Sequence, residues 1–315
     1  MALTEEGLIG VPGVASRYVR LATGARAHYM TAGDSGPAAI LLHGGINGSS
    51  GIAGWRFMLP ALAAAGFRAY APDRPGFGIS DNREEYWPHQ GNFSWSDFVD
   101  DFANALCLDE FSITGNSQGA SVAAQYAVEH PERIKNIALI ASFSLMGPLG
   151  LDNDGKVRER FPSKYDTIPW DGKAETMRAN MSAIIYDSRV ITDDLVNMRT
   201  SMANTQLASY MTAAKFNAAI PGNPIYAQRA NLLGRLDKLT MPAIYMWGKD
   251  DVLAPVEGGY AQEEILTNFK FHYPDQCGHQ GQTDRPELFN KVFAEFFATG
   301  KVSPELAKEA GASTR

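Results

Sequence analysis

The sequence is poor in cysteine and holds only Cys107 and Cys277 in 315 residues. Two cysteines cannot build a disulfide framework, which favours a reducing compartment, and neither has a cysteine partner at metal-ligand spacing. The zinc-binding pattern HExxH does not occur either. We therefore expect no metal and no cofactor, and we expect ordinary side chains to carry the chemistry.

Positive charge is also scarce, and the net charge is −7. An acidic chain without a Lys/Arg cluster is not expected to bind nucleic acid. No apolar run reaches the roughly 18 residues of a membrane-spanning helix, so no membrane span is predicted. The opening MALTEEGLIGVPG has two Glu and no basic stretch, unlike a secretory signal, so the expected location is the cytoplasm.

Strand-like and helical segments alternate along most of the chain. The strand-like segments lie at 38–42, 69–71, 111–114, 137–140, 243–247 and 270–273, and the helical ones at 54–65, 95–106, 118–129 and 286–297. This rhythm predicts an α/β fold with a mostly parallel central sheet and helices on both faces.

One long segment breaks the rhythm. Residues 147–235 show helical periodicity and no convincing buried strand, which predicts a helical insertion. The sheet is then expected to comprise residues 1–146 and 236–300. Residues 301–315, rich in Ala and charge, are expected to be a tail that frays.

The strongest motif is Gly115-Asn116-Ser117-Gln118-Gly119, a G-x-S-x-G pattern between a predicted strand and a predicted helix. That context is typical of a nucleophile elbow, in which a sharp turn exposes a serine above the sheet. Ser117 is the candidate nucleophile. The alternative is a chance match in a loop.

A serine hydroxyl needs a base, and His279 is the candidate among six histidines. It follows the last predicted strand, and sites gather at the carboxyl ends of parallel strands. The base in turn needs an oriented anion. The loop after 243–247 offers Asp250 and Asp251, and the chain order Ser…Asp…His fits both.

Carbonyl hydrolysis also requires donors for an oxyanion. The amide of Gln118, at the start of the predicted helix, is one candidate. The second is the amide of Gly45, in the loop His43-Gly44-Gly45, where the absence of side chains lets an N–H face the substrate.

Six segments of the chain form a recognisable set: LLHGG, DRPGFGIS, GNSQG, IIYDSRVITDDLVNMR, WGKDDVLAP and CGH. Together they resemble the α/β-hydrolase superfamily, and more narrowly the meta-cleavage product hydrolases, which hydrolyse C–C bonds in bacterial aromatic degradation. It implies an α/β-hydrolase fold in which the insertion is a lid. It also implies that Asp251 is the triad acid and Asp250 a bystander.

The resemblance further implies a small-molecule substrate, a vinylogous 1,5-diketone with a terminal carboxylate. Arg199 matches the lid arginine that faces that carboxylate in the family. Gly44, Asn116 and Gln280 are predicted to bind substrate beside it, and a homodimer or larger homo-oligomer is expected.

This chain departs from the family at three places. Gln118 replaces a usual Met, Gln280 replaces a usual Trp, and the loop before Trp55-Arg56-Phe57 is longer. All three changes make the expected pocket wall more polar. An esterase, lactonase or amidase with the same machinery is therefore the alternative, and a non-catalytic ligand receptor on the same fold is a remote one.

Overall fold

A sheet of eight strands forms the centre of the described structure. The computed structural model describes residues 2–83, 86, 92–142, 161–166, 168–219 and 222–315. The strands in chain order are β1 (Ala15–Arg20), β2 (Arg26–Ala32), β3 (Ala38–Leu42), β4 (Arg68–Pro72), β5 (Phe111–Asn116), β6 (Ile134–Ile140), β7 (Ala243–Met246) and β8 (Lys270–His272). Their order in the sheet is β1-β2-β4-β3-β5-β6-β7-β8.

The sheet is mixed but mostly parallel. β1 pairs antiparallel with β2, and β2 pairs antiparallel with β4. All remaining neighbours pair in parallel. Strands β3, β5 and β7 are buried along their whole length because helices cover both faces of the sheet.

The helices flank the sheet and fill the insertion. They are α1 (Gly51–Trp55), α2 (Met58–Ala64), α3 (Asn92–Ala105), α4 (Gln118–Glu129), α5 (Ala174–Ile184), α6 (Asp193–Ala219), α7 (Pro224–Ala230), α8 (Val256–Glu263), α9 (Gly281–Asp284), α10 (Pro286–Thr299) and α11 (Pro304–Glu309). The apolar faces of the helices pack into two hydrophobic clusters. One includes Phe102, Tyr126 and Trp247, and the other includes Trp55 and Phe293. No helix among the described residues has the length and apolar composition to cross a membrane.

The helix predicted over 54–65 is wrong in its form, because the structure breaks it into α1 and α2 at Arg56 and Phe57. Pro60 explains the break. Its nitrogen carries no hydrogen for the carbonyl of Arg56, four residues earlier, and its ring would clash with that carbonyl. α1 begins at Gly51 and is capped by Ser50, whose Oγ accepts a hydrogen bond from the Ala53 amide at 3.2 Å.

The insertion between β6 and β7 is helical, as predicted: its described residues form α5, α6, α7 and short 3₁₀ turns, and no strand. The predicted boundary at 146/147 lies outside the described residues. The tail is not frayed, contrary to expectation. α11 is followed by a bridge between Ala312 and His272, so backbone pairing fixes this segment beside β8.

Candidate active site

Ser117 occupies a sharp turn between β5 and α4. Its backbone has φ 54° and ψ −124°, which a residue with a side chain adopts only under strain. A Cβ on Gly115 would lie 2.2 Å from the Gly119 carbonyl carbon, and a Cβ on Gly119 would lie 2.2 Å from the Leu42 oxygen. The two glycines of the motif are therefore required by close backbone approach, as the elbow geometry demands.

Asp251 and His279 form a buried hydrogen-bonded pair. Nδ1 of His279 lies 2.8 Å from Oδ2 of Asp251. The two residues are 2% and 3% exposed. The other carboxylate oxygen, Oδ1, accepts from the amides of Leu253 and Ala254 at 2.9 and 2.8 Å. These bonds fix the carboxylate, and through it the plane of the imidazole.

His279 is also tied to the elbow. Asn116 Nδ2 donates to the carbonyl of His279 at 2.8 Å, and the amide of His279 donates to the carbonyl of Ile184 at 2.9 Å. The second ring nitrogen, Nε2, is buried and has no hydrogen-bond partner among the residues that the structure describes, so Ser117 and His279 are not hydrogen-bonded in this structure. Hydrogen bonds between a nucleophile and its base are often long before substrate binds.

Asp250 lies apart from the imidazole. It is exposed, and its Oδ2 accepts from the amide of Cys277 at 3.2 Å. Its own amide donates to the carbonyl of Cys277 at 3.0 Å. These are the contacts of a turn residue.

Burial raises the pKa of the Cys277 thiol well above its ordinary value, so that thiol stays protonated.

Arg74 holds the loop that follows β3. This fully buried guanidinium donates from Nη2 to the carbonyls of His43 and Gly44, both at 2.8 Å. The His43 ring completes the clamp: Nε2 accepts from the Arg74 amide at 3.1 Å, and Nδ1 lies 2.8 Å from the Gly44 oxygen. Burial, together with the charge of Arg74, lowers the pKa of His43 to about 3. The ring is therefore neutral, and its two hydrogen bonds shape the loop.

The clamped loop faces the start of α4. A Cβ on Gly45 would lie 2.3 Å from Oε1 of Gln118, and a Cβ on Gly44 would lie 3.6 Å from Cβ of Ser117. The first amides of a helix have no partner within it, so the Gln118 N–H is available at this end of α4. The structure thus brings Gly44, Gly45, Ser117 and Gln118 together.

Arg199 lies on α6, against the same loop. It is 1% exposed, and its Nη2 donates to the carbonyl of Asn47 at 3.2 Å. Its Nε is buried and has no hydrogen-bond partner in the described part of the chain. Burial, and secondarily the charge of Arg56, lower its pKa to about 10. Arg199 therefore remains charged at neutral pH.

Gln280 is buried at the start of α9, where its carbonyl accepts from the amide of Thr283 at 2.7 Å. Sequence reasoning missed three other buried charged residues near the site, Arg56, Arg74 and Asp284. Arg74 lies in the turn Asp73-Arg74-Pro75-Gly76 after β4, where charged residues are ordinarily exposed, so the local pattern does not reveal its burial. Nothing in the sequence distinguishes Arg56 or Asp284 from an exposed charge.

Comparison with known protein families identifies the family to which this fold belongs. The sequence matches the α/β hydrolase fold family over residues 38–286. The chain therefore belongs to the α/β-hydrolase fold family, which confirms the predicted fold class and the prediction of a hydrolase.

The more specific resemblance is also confirmed by similarity to characterised proteins. The chain is 27% identical over 286 residues to the 2-hydroxy-6-oxo-6-phenylhexa-2,4-dienoate hydrolase of Burkholderia cepacia, covering 87% of this chain and 92% of that protein. It is 28% identical over 299 residues to the 2-hydroxy-6-oxononadienedioate/2-hydroxy-6-oxononatrienedioate hydrolase of Paraburkholderia phymatum, covering 89% and 95%. The solved 2-hydroxy-6-oxo-6-phenylhexa-2,4-dienoate hydrolase of a Rhodococcus strain superposes with a TM-score of 0.71 at 24% identity, covering 91% and 100%, which shows a shared fold.

Proposed function

We propose that this chain is a serine hydrolase without a cofactor, in which Ser117, His279 and Asp251 form a catalytic triad. The observation that carries the proposal is the buried pair of His279 Nδ1 and Asp251 Oδ2, 2.8 Å apart. Nε2 of the same ring is buried and makes no hydrogen bond to any residue of the described ranges. The pair holds the imidazole so that Nε2 is the nitrogen left to act as a base. The bond from Asn116 to the His279 carbonyl ties that base to the residue before Ser117.

The substrate that we propose is a ring-cleavage product of aromatic degradation, a vinylogous 1,5-diketone with a terminal carboxylate. The support is the similarity to the two dienoate and dienedioate hydrolases named above. We further propose that Arg199 pairs with the carboxylate, since a guanidinium fork matches two carboxylate oxygens. Gly44, Asn116 and Gln280 would complete the substrate contacts.

The proposed reaction begins when His279 assists conversion of the dienol to its keto form. Ser117 Oγ then attacks the distal carbonyl carbon and passes its proton to His279 Nε2. The amides of Gly45 and Gln118 would stabilise the oxyanion. The C–C bond breaks with a delocalised carbanion as the leaving group, which takes up a proton and departs as the dienoate. Water then releases the carboxylic acid from the acyl-enzyme.

A second candidate function is hydrolysis of an ester, lactone or amide by the same residues. The observation that favours it is the polar wall beside the nucleophile, where the Gln118 amide oxygen lies against Gly45 and accepts from Arg74 at 3.3 Å. Such a wall suits a polar acyl group better than an aromatic one.

Product analysis separates the two candidates. Purified protein is offered a panel of ring-cleavage products, simple esters and lactones, and kcat/KM is compared. The proposal expects the ring-cleavage products to rank first, with a carboxylic acid and a dienoate as products. Ester or lactone turnover without dienoate formation would support the second candidate.

The matched variants are Ser117→Ala and Ser201→Ala, an exposed serine on α6. We expect Ser117→Ala to lower kcat by about 10⁴-fold or more and Ser201→Ala to leave it unchanged. Full turnover by Ser117→Ala would contradict a mechanism in which Ser117 is the nucleophile. Absence of turnover in the unaltered chain would favour the hypothesis of a non-catalytic ligand receptor. The expected homo-oligomer is checked by light scattering of the same sample.

A further inference from the structure

Arg74 is a buried cation that no carboxylate of the described residues pairs with. The residue is 0% exposed, and its guanidinium carbon lies 5.1 Å from the ring centre of Phe77 and 4.8 Å from that of Trp95. Nε and Nη1 find no hydrogen-bond partner in the part of the chain that the structure covers. Burial lowers the pKa of Arg74 to about 9, so the group is charged at neutral pH. Because an uncompensated buried charge is costly, its position calls for a reason beyond packing.

The remaining nitrogen of this guanidinium, Nη2, faces the loop beside the nucleophile. It donates to the carbonyls of His43 and Gly44, both at 2.8 Å, and to Oε1 of Gln118 at 3.3 Å. A Cβ on Gly44 would lie 3.6 Å from Cβ of Ser117, and a Cβ on Gly45 would lie 2.3 Å from Oε1 of Gln118. The positive charge therefore bears directly on the residues that border Ser117.

The Gly44 carbonyl and the Gly45 N–H belong to one peptide group. In a trans peptide the two point in opposite directions, so a carbonyl that faces Arg74 leaves the N–H facing away from it. Two donors fix this carbonyl. Because Nε2 of the neutral His43 ring accepts from the Arg74 amide, the ring hydrogen is on Nδ1, which donates to the Gly44 oxygen at 2.8 Å. The second donor is the Arg74 guanidinium.

A carbonyl that accepts a hydrogen bond from a cation polarises its whole peptide group. Hydrogen bonds from an ionised donor are about twice as strong as neutral ones, and hydrogen bonds in series strengthen one another. Electron density drawn toward the Gly44 oxygen makes the Gly45 N–H more positive and a better donor. The gain is greatest when the acceptor of that N–H carries a full negative charge.

We infer that Arg74 is a positioning residue for the oxyanion: it orients and polarises the Gly44–Gly45 peptide so that the Gly45 N–H stabilises the negative charge formed on the substrate. This inference rests on the proposed function, because that charge arises only when Ser117 attacks a carbonyl carbon. In that step the bond from Oγ to carbon forms, the π electrons of the carbonyl move to its oxygen, and the Oγ proton passes to His279. Arg74 keeps all of its protons.

A clamp that only holds the loop in place makes a different prediction. Its loss would disturb substrate binding and turnover together, and a neutral donor could replace the guanidinium. A polarised peptide instead acts on the anion, which exists in the transition state and not in the bound substrate. An interaction of that kind raises kcat and leaves KM nearly unchanged. The charge at position 74 and the split between kcat and KM therefore distinguish the two roles.

The first test compares Arg74→Gln and Arg74→Lys with the unaltered chain on the best substrate of the panel. Gln removes the charge, and kcat is expected to fall by about 30- to 100-fold while KM stays within about threefold. Lys keeps the charge but lacks the planar fork that holds two carbonyls. Its kcat is expected to fall by only about three- to tenfold.

The matched control is Arg133→Gln. The half-buried Arg133 also donates to a backbone carbonyl, that of Leu108, and it lies over the ring of Phe111. Phe111 is the first residue of β5, whereas Ser117 follows the last, so this arginine lies at the opposite end of the strand. Its replacement is expected to leave kcat within about twofold of the unaltered chain.

The second test probes the oxyanion itself. Phenyl trifluoromethyl ketone adds to a serine hydroxyl and forms a hemiketal with an anionic oxygen, whereas acetophenone, which has nearly the same shape, binds without adding. Both are measured as inhibitors of the same reaction. Arg74→Gln should weaken the trifluoromethyl ketone by about the same factor as it lowers kcat, and acetophenone by less than about threefold.

The inference is overturned if Arg74→Gln weakens the two ketones equally, if it raises KM without lowering kcat, or if Arg74→Lys loses as much activity as Arg74→Gln. If circular dichroism shows that Arg74→Gln is unfolded, Arg74→Lys decides alone. A loss of affinity for the trifluoromethyl ketone that exceeds the loss for acetophenone by about threefold or more then supports the inference, and equal losses contradict it.

Failure of the proposed function gives a different result. An unaltered chain that turns over no compound of the panel and forms no adduct with the trifluoromethyl ketone would contradict the serine mechanism, and this inference with it. Turnover that does not depend on the charge at position 74 would contradict this inference alone. Dependence on that charge in a chain that cleaves esters but no ring-cleavage product would contradict only the proposed substrate.

Discussion

The side-chain amide of Gln118 lies against Gly45, so close that a Cβ on Gly45 would stand 2.3 Å from Oε1 and 3.0 Å from Cβ of Gln118. The two residues proposed to supply the oxyanion donors are thus in direct contact. The amide end of Gln118 can rotate away, but its Cβ is fixed to the first residue of α4. A methyl group at position 45 must therefore displace the loop from the nucleophile.

We expect Gly45→Ala to lower kcat/KM by about 100-fold, because the loss of one oxyanion donor costs about that much or more. The matched control is Gly54→Ala in α1, where the new Cβ would lie 3.5 Å from Cβ of His43, an ordinary contact. Steady-state kinetics on the best substrate of the panel gives both values. Equal effects of the two substitutions would contradict a role for Gly45 beside the nucleophile.

Two adjacent carboxylates test the proposed triad acid. Asp251→Asn removes the charge that faces Nδ1 of His279 and is expected to lower kcat by about 10³- to 10⁴-fold. Asp250→Asn removes an exposed carboxylate that accepts from the Cys277 amide, and it is expected to cost less than about tenfold. Single-turnover kinetics measures the chemical step in both variants. The reverse order would assign the acid to Asp250.

The clamp formed by Arg74 is expected to stabilise the fold as well as the site. Arg74→Met removes the guanidinium donor from the buried carbonyl of His43, while Nδ1 of His43 still faces the carbonyl of Gly44. Leaving the His43 carbonyl unsatisfied is expected to cost about 1–3 kcal/mol. The control is Arg17→Met, an exposed arginine of β1. Urea unfolding measures the difference in unfolding free energy. Unchanged stability of Arg74→Met would show that water or another donor replaces the guanidinium.

Asp284 predicts a specific dependence of stability on pH. Its Oδ1 accepts from the Asp187 amide at 3.0 Å and its Oδ2 from the Gly278 amide at 2.7 Å, yet burial raises its pKa from 3.8 to about 6. Because the pKa of this carboxyl is higher in the folded chain than in the unfolded chain, the carboxyl stabilises the fold at pH values below its ordinary pKa of 3.8. That contribution is lost as the pH rises to about 6.

The measurement compares the unaltered chain with Asp284→Asn, in which this group no longer titrates. The unfolding free energy of the unaltered chain, relative to the variant, should fall by on the order of 3 kcal/mol between about pH 4 and pH 7. A difference that stays constant across this window would show that Asp284 keeps the ordinary pKa of a carboxyl.

The elements that sequence reasoning located best are those with two independent signals. The helix predicted at 118–129 has the bounds of α4, because the elbow marks its start and His130-Pro131 its end. The first two strands were missed as paired strands of the sheet. β1 is half-exposed and has no apolar run, so its pairing with β2 depends on contacts that the local pattern does not encode.

The site was predictable where chemistry fixes both residue type and chain order, as for Ser117 and His279. Residue type and chain order fit Asp250 and Asp251 equally, and only the family resemblance singled out Asp251. The roles of all three residues stay predictions. It was not predictable where burial comes from a distant segment. Arg56 is buried partly by Val190, which lies 134 positions further along the chain. From the sequence alone, a charged residue next to Trp55 is expected on the surface. Only the folded structure shows that the segment around Val190 covers it.

The segment after α11 has a consequence for handling the protein. Gly311 accepts from the amide of Tyr273 at 2.8 Å, and the amide of Ser313 donates to Phe271 at 2.9 Å, so these residues cover the open side of β8. Strands with unsatisfied edges recruit other chains. Removing the residues from Gly311 onward would expose this edge of β8 and favour aggregation of the protein. The effect would arise from a segment that is distant in sequence from Ser117.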